Sequence, residues 1–391
     1  MTRQAGVVDV VIVGGGCAGL SLGREIATSR TANCHTVILE PRSQYENDRT
    51  WCFWHARTHS LSHLVSHTWP AWRFSDGGSS VAHSGSYRYQ CIRADDFYAA
   101  ACDAIDKSAH VELRRGTHVL DIETNGNLVT LETNHGSIRA RHVVDTRPPV
   151  EPRTARSPMF QVFAGAEIET TAPLFDTDVV GLMEQMSHVE AGLDFTYVLP
   201  FSTTRALIEV TRFSPVRTSL DSLRSELTQR LAAGGLGHHE VLRRESGIIP
   251  MGLPEADAPH STRIVRGGTA GGAVRAATGY ALLRIDNWSK ACARRVIEGL
   301  PPVGHPREPR WRIAMDHLFS TVLLQAPERG PELFMSLARG TQPDALVRFL
   351  SDVAKPCDVA QVVRALPSSL FVKTALAELG FPGAGLMARR S

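Results

Sequence analysis

The chain has 391 residues, 43% of them hydrophobic and 21% charged, and 42 Lys and Arg against 40 Asp and Glu leave a formal net charge of +2. That length suits two or three units around large cores, and the balanced charge gives no electrostatic case for nucleic acid. Seven cysteines with no Cys-x-x-Cys pair, and no signal peptide ahead of Val7, predict a reducing, cytoplasmic setting.

The first informative stretch is Asp9-Val-Val-Ile-Val-Gly-Gly-Gly-Cys-Ala-Gly-Leu20, followed by Thr36-Val-Ile-Leu-Glu40. The pattern predicts a buried parallel strand, a tight glycine turn, a helix through Ala27 and a second strand. Gly14 permits the turn, Gly16 lets backbone N–H groups approach a pyrophosphate, and Gly19 lets helix and strand pack closely. Glu40 is the expected ribose acceptor. Its position at the chain start, and Glu rather than Asp, favour FAD over NAD.

Pro41 to His83 reads as a loop-rich connection holding four of the six tryptophans, Trp51, Trp54, Trp69 and Trp72, together with Phe53, Phe74 and several histidines. Such a cluster is either ordinary core or a wall for a flat apolar or cationic ligand. The histidines have no ligand spacing, and no metal is expected. Tyr87–Arg93 reads as a strand and Asp95–Ser108 as an amphipathic helix. Two alternating stretches, 111–122 and 128–132, flank an Asn-Gly-Asn turn. Arg141 to Asp145 is an apolar strand expected to return to the parallel sheet.

Four strands are expected between Phe160 and Phe213, forming an antiparallel sheet. Glu209 lies inside the apolar run Ala206-Leu-Ile-Glu-Val-Thr211 and either faces solvent or, if turned inward, is a carboxyl whose burial raises its pKa. Glu184 and Glu190 read as surface residues. A second strand, glycine loop and helix over Arg263 to Glu298 suits a further cofactor contact through Gly268, Gly271 and Gly272. Beyond Pro309 the chain reads as helices separated by prolines. No apolar run approaches the roughly 20 residues that span a bilayer.

With these stretches in hand the chain resembles the bacterial FAD-dependent lycopene β-cyclases over nearly its whole length. The likeness is carried by Asn47-Asp-Arg-Thr-Trp-Cys-Phe-Trp54, Tyr197-Val-Leu-Pro200, Ala206 to Thr211, Gly268 to Gly272 with Thr278-Gly-Tyr280, Met315-Asp-His-Leu-Phe319 and Pro327 to Phe334. It implies a glutathione-reductase-like α/β fold: a FAD-binding Rossmann domain (1–75, returning in 76–155 and 261–300), an antiparallel β-sheet substrate domain (156–260) and a C-terminal helical cap (301–391). It also implies non-redox closure of β-ionone rings on a linear carotenoid, with reduced FAD as cofactor and NAD(P)H as electron source. Glu209 would be the acid or its partner. Trp51, Phe53, Trp54 and His55 would contact substrate, and Arg49 would join the cofactor residues. An apolar polyene substrate implies peripheral contact with a membrane surface.

Two departures stand out: Val210 follows Glu209 where part of the family has a second acid, and Arg275-Ala-Ala277 stands where Lys and Pro are common. The alternatives are a cyclase for another polyprenyl chain, a monooxygenase or polyprenyl reductase of the same fold, and a pigment- or flavin-binding protein without turnover.

Overall fold

The computed structural model describes residues 6–148, 159–190, 192–252 and 262–378. In chain order its elements are β1 (Val7–Val13), α1 (Cys17–Ala27), β2 (Thr36–Glu40), β3 (Thr50–His55), β4 (Val65–Ser75), β5 (Ser80–Arg93), α2 (Ala94–Asp106), β6 (Val111–Arg115), β7 (Val119–Asn125), β8 (Leu128–Thr133), β9 (Gly136–Asp145), β10 (Met159–Thr170), β11 (Val179–Val189) and β12 (Gly192–Pro200). There follow β13 (Arg205–Ser214), α3 (Leu220–Ala233), β14 (His239–Met251), β15 (Ile264–Arg266), α4 (Leu282–Ile297), α5 (Arg310–Gln325), α6 (Gly330–Gly340), α7 (Pro343–Leu350), α8 (Pro356–Ala365) and α9 (Ser368–Glu378).

The first sheet runs β6-β2-β1-β9-β8-β7, with β15 also paired to β9. Its β6, β2, β1, β9 and β15 are parallel, which the continuous Val and Ile runs anticipate, since such strands are buried on both faces. Val10 and Ile12 pack with α1, α2 and α4, whereas Val11 and Val13 pack with Val129 and Leu131 on the other face. Val13, Asp145 and Arg266 share one register line, so the carboxyl ends of β1, β9 and β15 open onto a common crevice. Open parallel sheets bind ligands there.

The second sheet has eight strands in the order β14-β10-β13-β12-β11-β4-β5-β3, antiparallel except between β11 and β4. The stretch expected to be a loop-rich connection is instead its edge, β3 to β5. Its tryptophans explain themselves as core: Trp54, Trp69 and Trp72 are buried with Phe195, Leu193 and the cap residues Leu323, Leu333 and Leu346. The opposite face carries Val162, Ala164, Ile208 and Val210 against α3. Glu184 is buried too, contrary to expectation. Arg73 Nε (2.5 Å) and Ser75 Oγ (2.5 Å) donate to its carboxylate and offset the desolvation. Glu190 is exposed.

Candidate active site

The glycine turn after β1 is built as its sequence requires. Gly14 has φ +98°, a conformation only glycine adopts without strain. A Cβ on Gly19 would lie 1.9 Å from the Gly14 carbonyl oxygen, so the close passage of helix over strand excludes any side chain there. Gly16 is the opposite case, because a Cβ there would meet nothing within 4 Å. That open cradle at the N-terminus of α1 fits a pyrophosphate of FAD.

Glu40 ends β2 nearby. Its carboxylate accepts from the Gly15 N–H (2.6 Å) and from Arg42 N–H (2.9 Å) and Nε (2.7 Å). Gly268 has φ +62° and sits so close to α1 that a Cβ would be 3.0 Å from Ala18 Cβ. A Cβ on Gly271 would press on the Arg266 carbonyl, and Gly272 has φ +91°. The two glycine loops therefore face one another. Thr146 ties them together, its hydroxyl donating to the carbonyls of Val13 and Gly14 while Gly267 N–H donates to Asp145.

From these loops a cavity of about 370 Å³ runs to the second sheet, touching Cys17 and Thr269 at one end and Glu209 and Glu245 at the other. Arg49 and Trp51 line it, together with Phe163, Tyr89, Tyr197 and Tyr280. Phe53, Trp54 and His55 are not on its wall. Strand pleating sends Trp54 to the cap-side core, where it packs on Trp72, Tyr89 and Tyr280. Phe53 packs on His59, and His55 bonds the Arg57 carbonyl at an exposed turn. Among the described residues no cluster of His, Cys, Asp and Glu could hold a metal ion.

Glu209 lies on the cavity side of β13, and Val210 points to α3. Burial first, and the neighbouring Glu245 carboxylate second, push the Glu209 carboxyl up to about 8, against a 2.9 Å hydrogen bond donated by Thr211 Oγ1. It is therefore a neutral acid at pH 7. Directly across the ladder from it stands Tyr197. Burial raises the phenols of Tyr89, Tyr197 and Tyr280, so all three present uncharged rings.

Glu245 comes from β14, two strands away. Gly165 on β10 is the register partner of both Glu209 and Glu245, and its missing side chain leaves the two carboxyl groups within hydrogen-bond reach over the glycine. Thr50 Oγ1 (2.8 Å) and Arg243 Nη1 (2.5 Å) bond the far oxygen of Glu245. Arg243 continues to Glu167, which is fully buried. Burial alone would raise Glu167, but Arg243, Arg93 and Arg205 hold it below the ordinary carboxylate range.

Of the acids and rings on this wall, the sequence singles out Glu209 and Trp51 and gives no sign of Glu245, Phe163 or the three tyrosines. Tyr197 lies in the Tyr197-Val-Leu-Pro200 stretch, and its place opposite Glu209 follows once β12 and β13 are paired as a hairpin.

A model of the family described as Lycopene cyclase protein matches residues 9–376. The chain belongs to the lycopene cyclase family. It is 27% identical to a lycopene beta-cyclase of Pantoea ananas over 284 residues, 70% of this chain and 71% of that protein. A Paracoccus lycopene beta-cyclase is 31% identical over 188 residues, 47% of each chain. A chloroplastic lycopene beta cyclase of Arabidopsis thaliana is 25% identical over 301 residues, covering 72% of this chain and 59% of that one. Against both of these the match spans less than two thirds of the relative's length.

Solved structures share the fold at lower identity. A geranylgeranyl bacteriochlorophyll reductase-like protein from Thermoplasma acidophilum has TM-score 0.59 at 12% identity, covering 95% of this chain and 99% of that one. A variant of the halogenase PltM in complex with FAD has TM-score 0.55 at 13%, covering 96% and 92%. The chain thus has the α/β fold of FAD-dependent reductases and monooxygenases, and the cap helices α5 to α9 follow it.

Proposed function

We propose that this member of the lycopene cyclase family is a FAD-dependent carotenoid cyclase that closes β-ionone rings on a linear, lycopene-like polyene without net redox change. The observation that carries the reading is Glu209, a carboxylic acid kept neutral by burial in an aromatic cavity that opens towards two glycine loops. Gly14, Gly16 and Gly19, with Gly268, Gly271 and Gly272, would hold FAD, with Glu40 bonded to Gly15 and Arg49 on the cavity wall that Cys17 and Thr269 share. When bound, reduced FAD supplies negative charge opposite a cation in the cavity, and NAD(P)H is the proposed electron source.

Glu209 donates its proton to the terminal double bond of the substrate, and the resulting carbocation closes into a six-membered ring. The ring faces of Tyr89, Tyr197 and Tyr280, with Trp51 and Phe163, surround that charge, each well-placed face being worth about 0.5–2 kcal/mol. The aromatic and aliphatic side chains on the wall, Trp51, Phe163, Leu199 and Leu207 among them, limit the water that would quench a cation. Loss of a ring proton then completes the β ring.

Among the described residues no helix is long and apolar enough to cross a membrane. The cap exposes Trp311, Val363, Val372 and Leu376, which supports peripheral attachment on the cytoplasmic side, where a membrane-dissolved polyene is met.

The test is an anaerobic incubation of purified protein with FAD, limiting dithionite and lycopene in liposomes. The reading expects products of unchanged mass and altered absorbance, formed over many turnovers per reducing equivalent. A mass change matched by consumption of reductant assigns the chain to the redox enzymes that share its fold.

A further inference from the structure

Resting on the reading that Glu209 is the proton donor, we infer that Glu245 is the base of the same reaction: it takes the ring proton and returns it to Glu209 across Gly165. The juxtaposition is specific. Gly165 pairs with Glu209 on one side and Glu245 on the other, and a Cβ at this position would lie 3.4 Å from both Glu209 Cβ and Glu245 Cγ. Both acids line the cavity, so both reach whatever occupies it.

Their second partners differ, and this gives them different roles. Among the described residues Glu209 has one hydrogen-bond donor beyond its neighbour, the Thr211 hydroxyl, and Arg243 acts on it through space without a hydrogen bond. Glu245 is ion-paired with Arg243 and accepts from Thr50, so of the two it is the one supplied with compensation for a negative charge. Two carboxyl groups whose surroundings separate them in this way form an acid and base pair.

The step balances. Proton donation breaks the Glu209 O–H bond, and the electron pair of the terminal double bond forms the new C–H bond. Ring closure moves the positive charge into the ring. The Glu245 carboxylate removes a ring proton, and the electrons of that C–H bond become the ring double bond. Transfer of the proton from Glu245 to Glu209 restores the starting pair, with nothing oxidised or reduced.

The other titratable or charged groups on the cavity wall are Cys17, Arg49, Cys52, Tyr89, Tyr197 and Tyr280. Burial pushes the Cys17 thiol up to about 12 and raises the phenols. A hydrogen bond to Cys91, with burial, raises Cys52.

Wild type, Glu245→Gln and Glu209→Gln, each FAD-loaded and dithionite-reduced, are assayed with lycopene in phosphatidylcholine liposomes across pH 5 to 9. Glu245→Gln is expected to lower kcat about 10²-fold at unchanged flavin content and unchanged KM, since a base that acts only on the cation adds nothing to substrate binding. Wild-type kcat per flavin-loaded molecule in Glu245→Gln overturns the assignment, even if its melting temperature falls. Undiminished kcat in Glu209→Gln overturns instead the reading on which it rests. Arg243 keeps Glu167 as a partner in Glu245→Gln, which favours folding. Should that variant fail to accumulate, Glu245→Asp decides, because it keeps the charge and withdraws it by one methylene. Lowered kcat supports the assignment and wild-type kcat refutes it.

Discussion

On the proposed mechanism the chemistry of this chain is concentrated at Glu209. Its side chain gains nothing from burial unless it is neutral, and the pair with Glu245 makes ionisation costlier still. Turnover is therefore expected to fall on an alkaline limb with its midpoint near 8, the value to which the Glu209 carboxyl is raised. Glu209→Gln is expected to keep flavin and lose about 10²- to 10⁴-fold in kcat, the usual worth of a general acid. Retention of near wild-type rate would put the donor elsewhere. Asp145 is a poor substitute, being held bidentate by Arg147, and His55 lies off the cavity.

The same group sets a stability slope. A carboxyl raised from 4.5 to about 8 binds more protons folded than unfolded between those values. Its stabilising contribution is complete below the unfolded value and is lost as pH rises through the folded one. Urea midpoints measured at pH 5 and pH 8.5 are expected to fall more for wild type than for Glu209→Gln. Equal losses would show that Glu209 is already ionised at pH 5.

At the level of elements, the glycine turns divide into those that shape the chain and one that faces a ligand. Gly14 and Gly19 are demanded by backbone conformation and by the strand, whereas Gly16 touches no neighbour. Gly16→Val is accordingly expected to leave the melting temperature within a few degrees of wild type while purifying without yellow colour. A yellow variant would count against the pyrophosphate at this turn.

These turns were legible because their spacing is local, and so was Glu209, whose apolar neighbours in β13 mark it as unusual. Glu245 was not, because it follows Arg243 and Arg244 in a polar stretch and acquires meaning only through the register with Gly165. The aromatic run around Trp51 was legible as a cluster but not as a place. Pleating sends Trp54 into the cap-side core, and Trp51 alone of the four expected residues reaches the cavity. Long-range pairing, which decides such questions, leaves no local mark in the sequence.

Across the whole molecule, the departure at Arg275 finds a structural account. This residue is 2% exposed at the end of the second glycine loop. Its guanidinium donates to Asp316 Oδ2 (3.3 Å) and Oδ1 (3.2 Å) on α5 and to the Phe349 carbonyl on α7, and pairs with Asp352. It therefore clamps the cap onto the cofactor loop. Arg275→Met leaves Asp316 buried without its cation, and a loss of about 3–5 kcal/mol in unfolding free energy is expected from denaturant titration. A change within a few tenths would mean that the cap is held by its apolar contacts alone.

On the proposed function, the cap, the two sheets and the paired acids together enclose the place where a carbocation is made by protonation. The most direct test is a single-turnover anaerobic incubation of the reduced, FAD-loaded protein with lycopene in D2O, followed by mass analysis of the monocyclic product. Protonation by an exchanged carboxylic acid predicts one deuterium per ring, with the hydrogen count otherwise unchanged. A ring formed without deuterium, or a product gaining two hydrogens or an oxygen, would contradict it.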